Sequence, residues 1–299
     1  MSELVVQTHA LTKRYGSLAA VDGLEMRVEQ GSVYGFLGRN GAGKTTTLRM
    51  LAGLARATSG TARVLGMEAR RDQLAVLERT GFVIDMTLLP SMTGKDLVRF
   101  NRGFFPRWDD RLVKRYAETL EIPMDRPFKK LSQGNKTKLC LLMALAQNPE
   151  LLVLDEPTMG LDPVVTDQLF RVLVEDFAND GRTILMSSHH LSEVERIADW
   201  VGIIDQGKLL LEARLDDIRA NYRRIRVVGE RLPQAVPDAL AVNSAEGVSE
   251  YVMRTGAEAF AATLRSQGAT VIEVLPLNLS EIFLVLVGKE SHVPVEVLA

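Results

Sequence analysis

Apolar and β-branched residues dominate LVVQTHALTKRY (4–15) and LEMRVEQGSVYGFLG (24–38), two stretches parted by a glycine-containing turn. That pattern predicts strands. After Gly43 the segment KTTTLRMLAGL predicts a helix, and ATSGTARVLG brings a further short strand. LAVLERTGFVI (74–84) reads as a helix end running into a buried strand. Between 91 and 147 the period becomes helical through SMTGKDLVRFNRGFF, DDRLVKRYAETLEIP and QGNKTKLCLLMALAQN. LLVLD (151–155) is a continuous apolar run, as expected of a central strand in a parallel sheet. A helix with Pro163 near its start, the strand TILMSS, the helix LSEVERIADW and a hairpin around Gln206-Gly207 follow.

Beyond about residue 215 the pattern changes to strands RIRVVG, VSEYVMR and TVIEVLP with helices GAEAFAATLRSQG and NLSEIFLVLVG. The expectation is an α/β domain over 1–215, with a helical subdomain at about 86–135, and a small α/β module over 216–299. The boundary is expected near DDIRANYRR.

Composition narrows the function class. The 299 residues are 46% hydrophobic and 25% charged, with a formal net charge of −2. So balanced a chain has no global field for nucleic acid or anionic lipid. The single cysteine, Cys140, excludes an internal disulfide and lies in the apolar run LCLLMALA, which predicts a buried, inert thiol. MSELVVQTHALTKRYG has no apolar leader core, and LCLLMALA and IFLVLV are too short to span a bilayer. A cytoplasmic chain is expected, with any membrane role coming through a partner.

Two stretches suit a phosphate. Gly38-Arg-Asn40-Gly41-Ala42-Gly43-Lys44-Thr45-Thr46 follows the strand VYGFL and opens a helix after Gly43. The glycines let backbone N–H groups close around a phosphate, Lys44 reaches its oxygens, and the Thr45 hydroxyl suits Mg²⁺. LLVLDEP supplies carboxylates at a strand end: Asp155 to orient Mg²⁺, and Glu156 to position or deprotonate an attacking water. The second stretch is LSQGNKTKL (131–139), a serine–glycine turn opening a helix with Lys136 and Lys138 in its first turns, which suits an anion.

With LSQGN, LLVLDEP, GLDP (160–163) and SSHHLSEVE (187–195) in this order after the phosphate loop, residues 4–215 resemble ATP-binding subunits of ABC transporters. The phrasing is closest to exporters whose membrane subunit is a separate ABC-2-type chain. The resemblance implies a P-loop ATPase with a RecA-like core, an antiparallel β subdomain and a helical subdomain. It implies ATP and Mg²⁺ as ligands, and a head-to-tail dimer with a second, identical or related, ATPase subunit. There Ser132 and Gly134 would serve the ATP held by the neighbour. Tyr15 matches the residue stacking on adenine, His189 the switch histidine and Asp162 the aspartate coupling the two sites. Asp85 stands where the family usually has a metal- and water-sensing glutamine. The resemblance further implies a peripheral place on the inner face of the cell membrane. RFNRGFFPRW (99–108) is the candidate docking surface, since its aromatic and Arg residues suit an interface anchor; a place in the helical subdomain's core is the alternative for Phe100, Phe104 and Phe105. A soluble ABC ATPase acting on ribosomes or DNA is the alternative; the chain has one cassette and no basic block. The C-terminal module is expected to regulate or to support the dimer.

Overall fold

A computed structural model of the protein describes residues 3–84, 91–175 and 177–288, apart from 230–231, 234–235, 237 and 246. The chain divides into two compact units, Met1–Glu212 and Ala213–Ala299. The first begins with β1 (Leu4–Tyr15), β2 (Leu18–Leu24), β3 (Arg27–Glu29) and β4 (Val33–Leu37), then α1 (Lys44–Leu51), β5 (Ser59–Val64) and β6 (Met67–Glu68). It continues through α2 (Gln73–Arg79), β7 (Thr80–Val83), α3 (Gly94–Arg102), α4 (Asp110–Thr119), α5 (Gln133–Ala146) and β8 (Leu151–Asp155). Its last part holds α6 (Pro163–Glu175), β9 (Thr183–Ser188), α7 (Leu191–Ile197), β10 (Trp200–Asp205) and β11 (Lys208–Arg214).

Two sheets form. β2, β1, β5 and β6 lie in that order, with β3 also on β1. The order in the other is β11-β10-β4-β9-β8-β7, and its pairs from β10 to β7 are parallel. Every residue of VYGFL and TILMSS, and LLVL of β8, is buried, which is why these runs do not alternate. Chain topology thus brings three carboxyl strand ends side by side. The phosphate loop follows β4, His189 follows β9 and Asp155 ends β8. Ligands of open α/β sheets bind at such an edge.

Several helices of this unit begin at capping side chains. Thr93 and Asp96 form a reciprocal capping box at α3, Ser132 accepts from Asn135 N at α5, and Asp162 accepts from Val164 N and Val165 N at α6. The run LCLLMALA of α5 is buried on every side, as its all-round apolarity requires. Among the described residues no helix is long and apolar enough to cross a membrane.

The second unit holds α8 (Leu215–Asn221), β12 (Arg223–Val228), β13 (Ala239–Ala245), β14 (Val248–Met253), α9 (Ala257–Ser266), β15 (Thr270–Pro276) and α10 (Leu279–Gly288). Its antiparallel sheet runs β13-β14-β12-β15. Ile225, Val227, Tyr251 and Met253 form its core with Ala257, Ala261 and Leu264 of α9. On β12, Arg226 stands between Glu250 and Glu273, at 3.2 and 2.8 Å. Strands β2 and β13 and helix α8 are absent from the sequence reading. LAAVDGL and ALAVNSA are rich in alanine and lack the β-branched runs that announce a strand, so pairing with β1 and β14 makes them strands.

A tight spot under the sheet gives a stability test. Tyr34 is fully buried and donates its hydroxyl to Glu212 Oε1 at 2.7 Å; burial holds its phenol well above the ordinary pKa. On the neighbouring β10, a Cβ at Gly202 would lie 2.2 Å from that hydroxyl oxygen. Gly202→Ala must displace the ring or open the strand pair, and overpacking of this kind costs about 1–3 kcal/mol. Urea unfolding should show that loss as a lower midpoint with an unchanged slope.

Candidate active site

Steric limits on two glycines shape the phosphate loop. A Cβ at Gly38 would meet the Ile204 carbonyl oxygen at 2.4 Å, and one at Gly43 would meet the Ala20 carbonyl oxygen at the same distance. Gly43 also holds φ at +112°, where a side chain is strained, and it caps α1. Ala42 is buried, Asn40 and Gly41 face solvent, and Thr46 is half-buried in the first turn of α1.

Lys44 opens that helix and folds back over the loop. Its Nζ donates to the Gly38 carbonyl at 2.7 Å and the Arg39 carbonyl at 3.3 Å, and stands 3.1 Å from Glu156 Oε1. With its side chain only 6% exposed, this ammonium is held by those three oxygens. Thr45 Oγ1 donates to Asp155 Oδ2 at 2.7 Å, and Ser187 Oγ donates to Asp155 Oδ1 at 2.6 Å. Both aspartate oxygens are therefore aimed by neighbours.

Glu156 leaves the strand direction with φ at +47°, a left-handed conformation that costs a non-glycine residue about 1–2 kcal/mol. Its N–H donates to Ser187, to the carbonyl at 3.2 Å and the hydroxyl at 3.1 Å, which holds the turned backbone. The carboxylate then lies between two cations or potential cations. Lys44 faces Oε1, while His189 approaches Oε2 with Nδ1 at 2.8 Å and its backbone N–H at 3.3 Å. Oε1 is buried and, among the described residues, accepts no hydrogen bond; the ion pair with Lys44 compensates it. The His190 ring lies tilted beside that of His189, with centroids 4.0 Å apart, and does not take its place.

The donor set fits a nucleotide with a hard cation. Among the described residues no group of three or more His, Cys, Asp or Glu side chains forms a ready metal cage. Thr45 and Asp155 offer two oxygens beside an anion cradle, which suits Mg²⁺ arriving with phosphate ligands. Glu156 Oε1 and the Lys44 ammonium, 3.1 Å apart, supply an acceptor and a donor that a bound water and phosphate can engage.

Other sequence candidates lie elsewhere. Tyr15 ends β1 exposed, with Lys13 Nζ 4.9 Å from its ring centroid. Ser132 caps α5, and a Cβ on Gly134 would stand 3.1 Å from Leu161 Cδ2. Asp162 caps α6. Asp85 lies outside the described residues. The lysines of LSQGNKTKL do not converge on an anion. Lys138 is buried and donates to the Leu120 carbonyl at 2.9 Å, at the end of α4, while Lys136 sits 5.8 Å from the Phe128 ring centroid. A helix carboxyl end attracts a cation, and the sequence does not show which helix end lies opposite. Cys140 is buried, which pushes its thiol up to about 12, so it is inert. Sequence reasoning missed Ser187, whose signal is a polar residue ending the apolar run TILMSS.

In RFNRGFFPRW the exposed pair is Phe100 and Phe104, 53% and 62% exposed, with ring centroids 5.0 Å apart. Trp108 is half-buried; it stacks on Phe105 and donates Nε1–H to Asp110 at 3.1 Å.

Comparison with known proteins identifies the family. The ABC transporter family matches residues 21–159. The chain is 38% identical over 223 residues to the bacitracin transport ATP-binding protein BcrA of Bacillus licheniformis, covering 74% of this chain and 73% of the relative. It is 32% identical over 307 residues to the Nod factor export ATP-binding protein I of Ralstonia nicotianae, covering 96% and 95%. A solved dimeric bacterial ABC transporter cassette superposes with a TM-score of 0.62 at 20% identity, over 70% of this chain and 98% of that one. The chain belongs to the ABC transporter family, as one of its ATP-binding, ATP-hydrolysing subunits.

Proposed function

We propose that this subunit powers export through a separate ABC-2-type membrane subunit, by closing head-to-tail on a second ATPase chain around two ATP molecules. The observation that carries the ATPase chemistry is the convergence of Lys44, Thr45, Asp155, Glu156 and His189 at three adjacent strand ends. The transport and export relatives supply the direction of work.

In this reading the loop 38–46 cradles the phosphates, and Lys44 leaves its carbonyl acceptors for the nucleotide. Thr45 and Asp155 would hold Mg²⁺, which supplies neutralisation of charge on the phosphates. Glu156 orients a water and takes its proton as the water oxygen bonds to the terminal phosphorus and the bond to ADP breaks. His189, donating to Glu156, aims that carboxylate and stands ready to touch the departing phosphate. Tyr15 would stack on adenine from the end of β1, and Asp85 would meet the metal or its water. Ser132 and Gly134 complete the neighbour's site, and Asp162 couples the two. The dimeric solved cassette supports this assembly.

Phe100 and Phe104 provide the docking anchor for the membrane subunit, which holds the chain at the inner face of the cell membrane. Truncating such an anchor typically costs about 2 kcal/mol, roughly 30-fold in affinity, and a buried charge costs more. Isolating the tagged chain from detergent-solubilised membranes of its own cells is expected to recover a polytopic membrane protein in stoichiometric amount. Phe104→Asp should lose that protein and keep ATP hydrolysis. Recovery of ribosomes or nucleic acid in its place would overturn the reading.

A further inference from the structure

The turn after Glu156 is tied to α7 by a bond the proposed catalytic roles leave unused. Thr158 is buried, and its hydroxyl donates to Glu193 Oε2 at 2.6 Å, within the short range of charge-assisted O–H···O⁻ bonds. Glu193 lies in the first turn of α7, where the helix dipole favours a carboxylate. The Thr158 carbonyl also accepts from Leu161 N at 3.0 Å, just after Met159 N bonds the Glu156 carbonyl at 3.1 Å. One residue thus anchors two successive turns to the helix that follows His189.

The far end of that turn meets the other half-site of the same chain. A Cβ on Gly134 would stand 3.1 Å from Leu161 Cδ2, and one on Gly160 would stand 3.5 Å from Gln133 Cγ. The segment 157–161 therefore spans from the Glu156–His189 contact to the start of α5.

We propose that Thr158 and Glu193 are a positioning pair for hydrolysis, whose hydroxyl–carboxylate bond locks the turn 157–161 to α7 and so keeps Glu156 in register with His189. Neither side chain need touch ATP. The inference rests on Glu156 acting as the base, and that reading has its own test: Glu156→Gln that still turns over would remove it, whatever Thr158 does.

The experiment compares full-length variants for kcat and for the Kd of a non-hydrolysable ATP analogue. Thr158→Val is isosteric and removes only the donor, and Glu193→Ala removes the acceptor. Each should lower kcat roughly 10- to 100-fold, the cost of misplacing a reacting group by about an ångström, while Kd stays within about twofold. Thr158→Ser and Glu193→Gln keep a donor and an acceptor and should retain most of the turnover, which a simple packing role would not require. The double variant Thr158→Val/Glu193→Ala should be no slower than its slower parent, since one bond is lost once. Amide exchange in peptides covering 157–161 should quicken in Thr158→Val and not in Thr158→Ser. A kcat in Thr158→Val equal to that of the natural chain, additive losses in the double variant, or equal damage in Thr158→Ser would overturn the pairing.

Discussion

Glu156→Gln is expected to lower kcat for ATP hydrolysis about 1,000-fold while ATP affinity changes by less than about threefold. A positioned general base contributes roughly 10²- to 10⁴-fold, and an amide cannot take the proton. The substitution preserves shape. The amide oxygen can still accept from His189, and Lys44 keeps the Gly38 and Arg39 carbonyls at 2.7 and 3.3 Å. Folding and nucleotide capture should therefore survive. Phosphate release set against equilibrium nucleotide binding separates the two quantities. A loss below about tenfold would mean that the water is activated by another group.

Lys44→Ala should act on both binding and stability. A charge-assisted bond from the ammonium to phosphate is worth about 1.5–3 kcal/mol, so ATP binding should weaken by roughly 10- to 100-fold. The nucleotide-free protein should also be destabilised. Among the described residues Glu156 Oε1 accepts no hydrogen bond, and the side chains of Lys44 and Glu156 are only 6% and 13% exposed. Removing one partner of a buried pair costs about 3–5 kcal/mol, because the other charge is left uncompensated. The His189 contact to Oε2 keeps the expected loss near the lower figure. Denaturant unfolding of the natural chain, both single variants and the double variant forms a cycle. In the Glu156→Gln background Lys44→Ala should cost markedly less. Equal costs in both backgrounds would show that the ion pair contributes nothing to the fold.

These two effects spring from residues that were legible in the sequence for a physical reason. A loop that wraps phosphate with backbone N–H groups must avoid side chains, and Gly38 and Gly43 are positions where an added Cβ would strike carbonyl oxygens. A strand covered on both faces must be apolar throughout, so LLVLD announced both its burial and the carboxylates at its end. What the sequence hid is tertiary. Thr158 and Glu193 are 35 positions apart and meet only because β8 and β9 are neighbours. Lys138 looked like an anion ligand until the end of α4 supplied the Leu120 carbonyl. Phe100, Phe104 and Trp108 share one aromatic run, and packing alone divides them into an exposed pair and a half-buried ring. Nor do β2 and β13 carry a strand signal of their own; their partners impose it.

The two phosphate-suited stretches of one chain pose a final question of assembly. Within the first unit, Lys44, Thr45, Asp155, Glu156 and His189 converge, whereas Ser132 caps α5 and Gly134, in its first turn, lies against Leu161. If the second stretch completes a neighbour's site, ATP must bring chains together whenever hydrolysis is blocked. Light scattering on purified Glu156→Gln protein, with and without MgATP, reads this as mass. ATP should convert monomer to dimer, and adding Ser132→Arg, which fills the approach to the neighbour's phosphate, should leave a monomer that still binds nucleotide. A chain that stays monomeric with ATP bound, or a dimer indifferent to Ser132→Arg, would contradict closure of two identical chains through this turn.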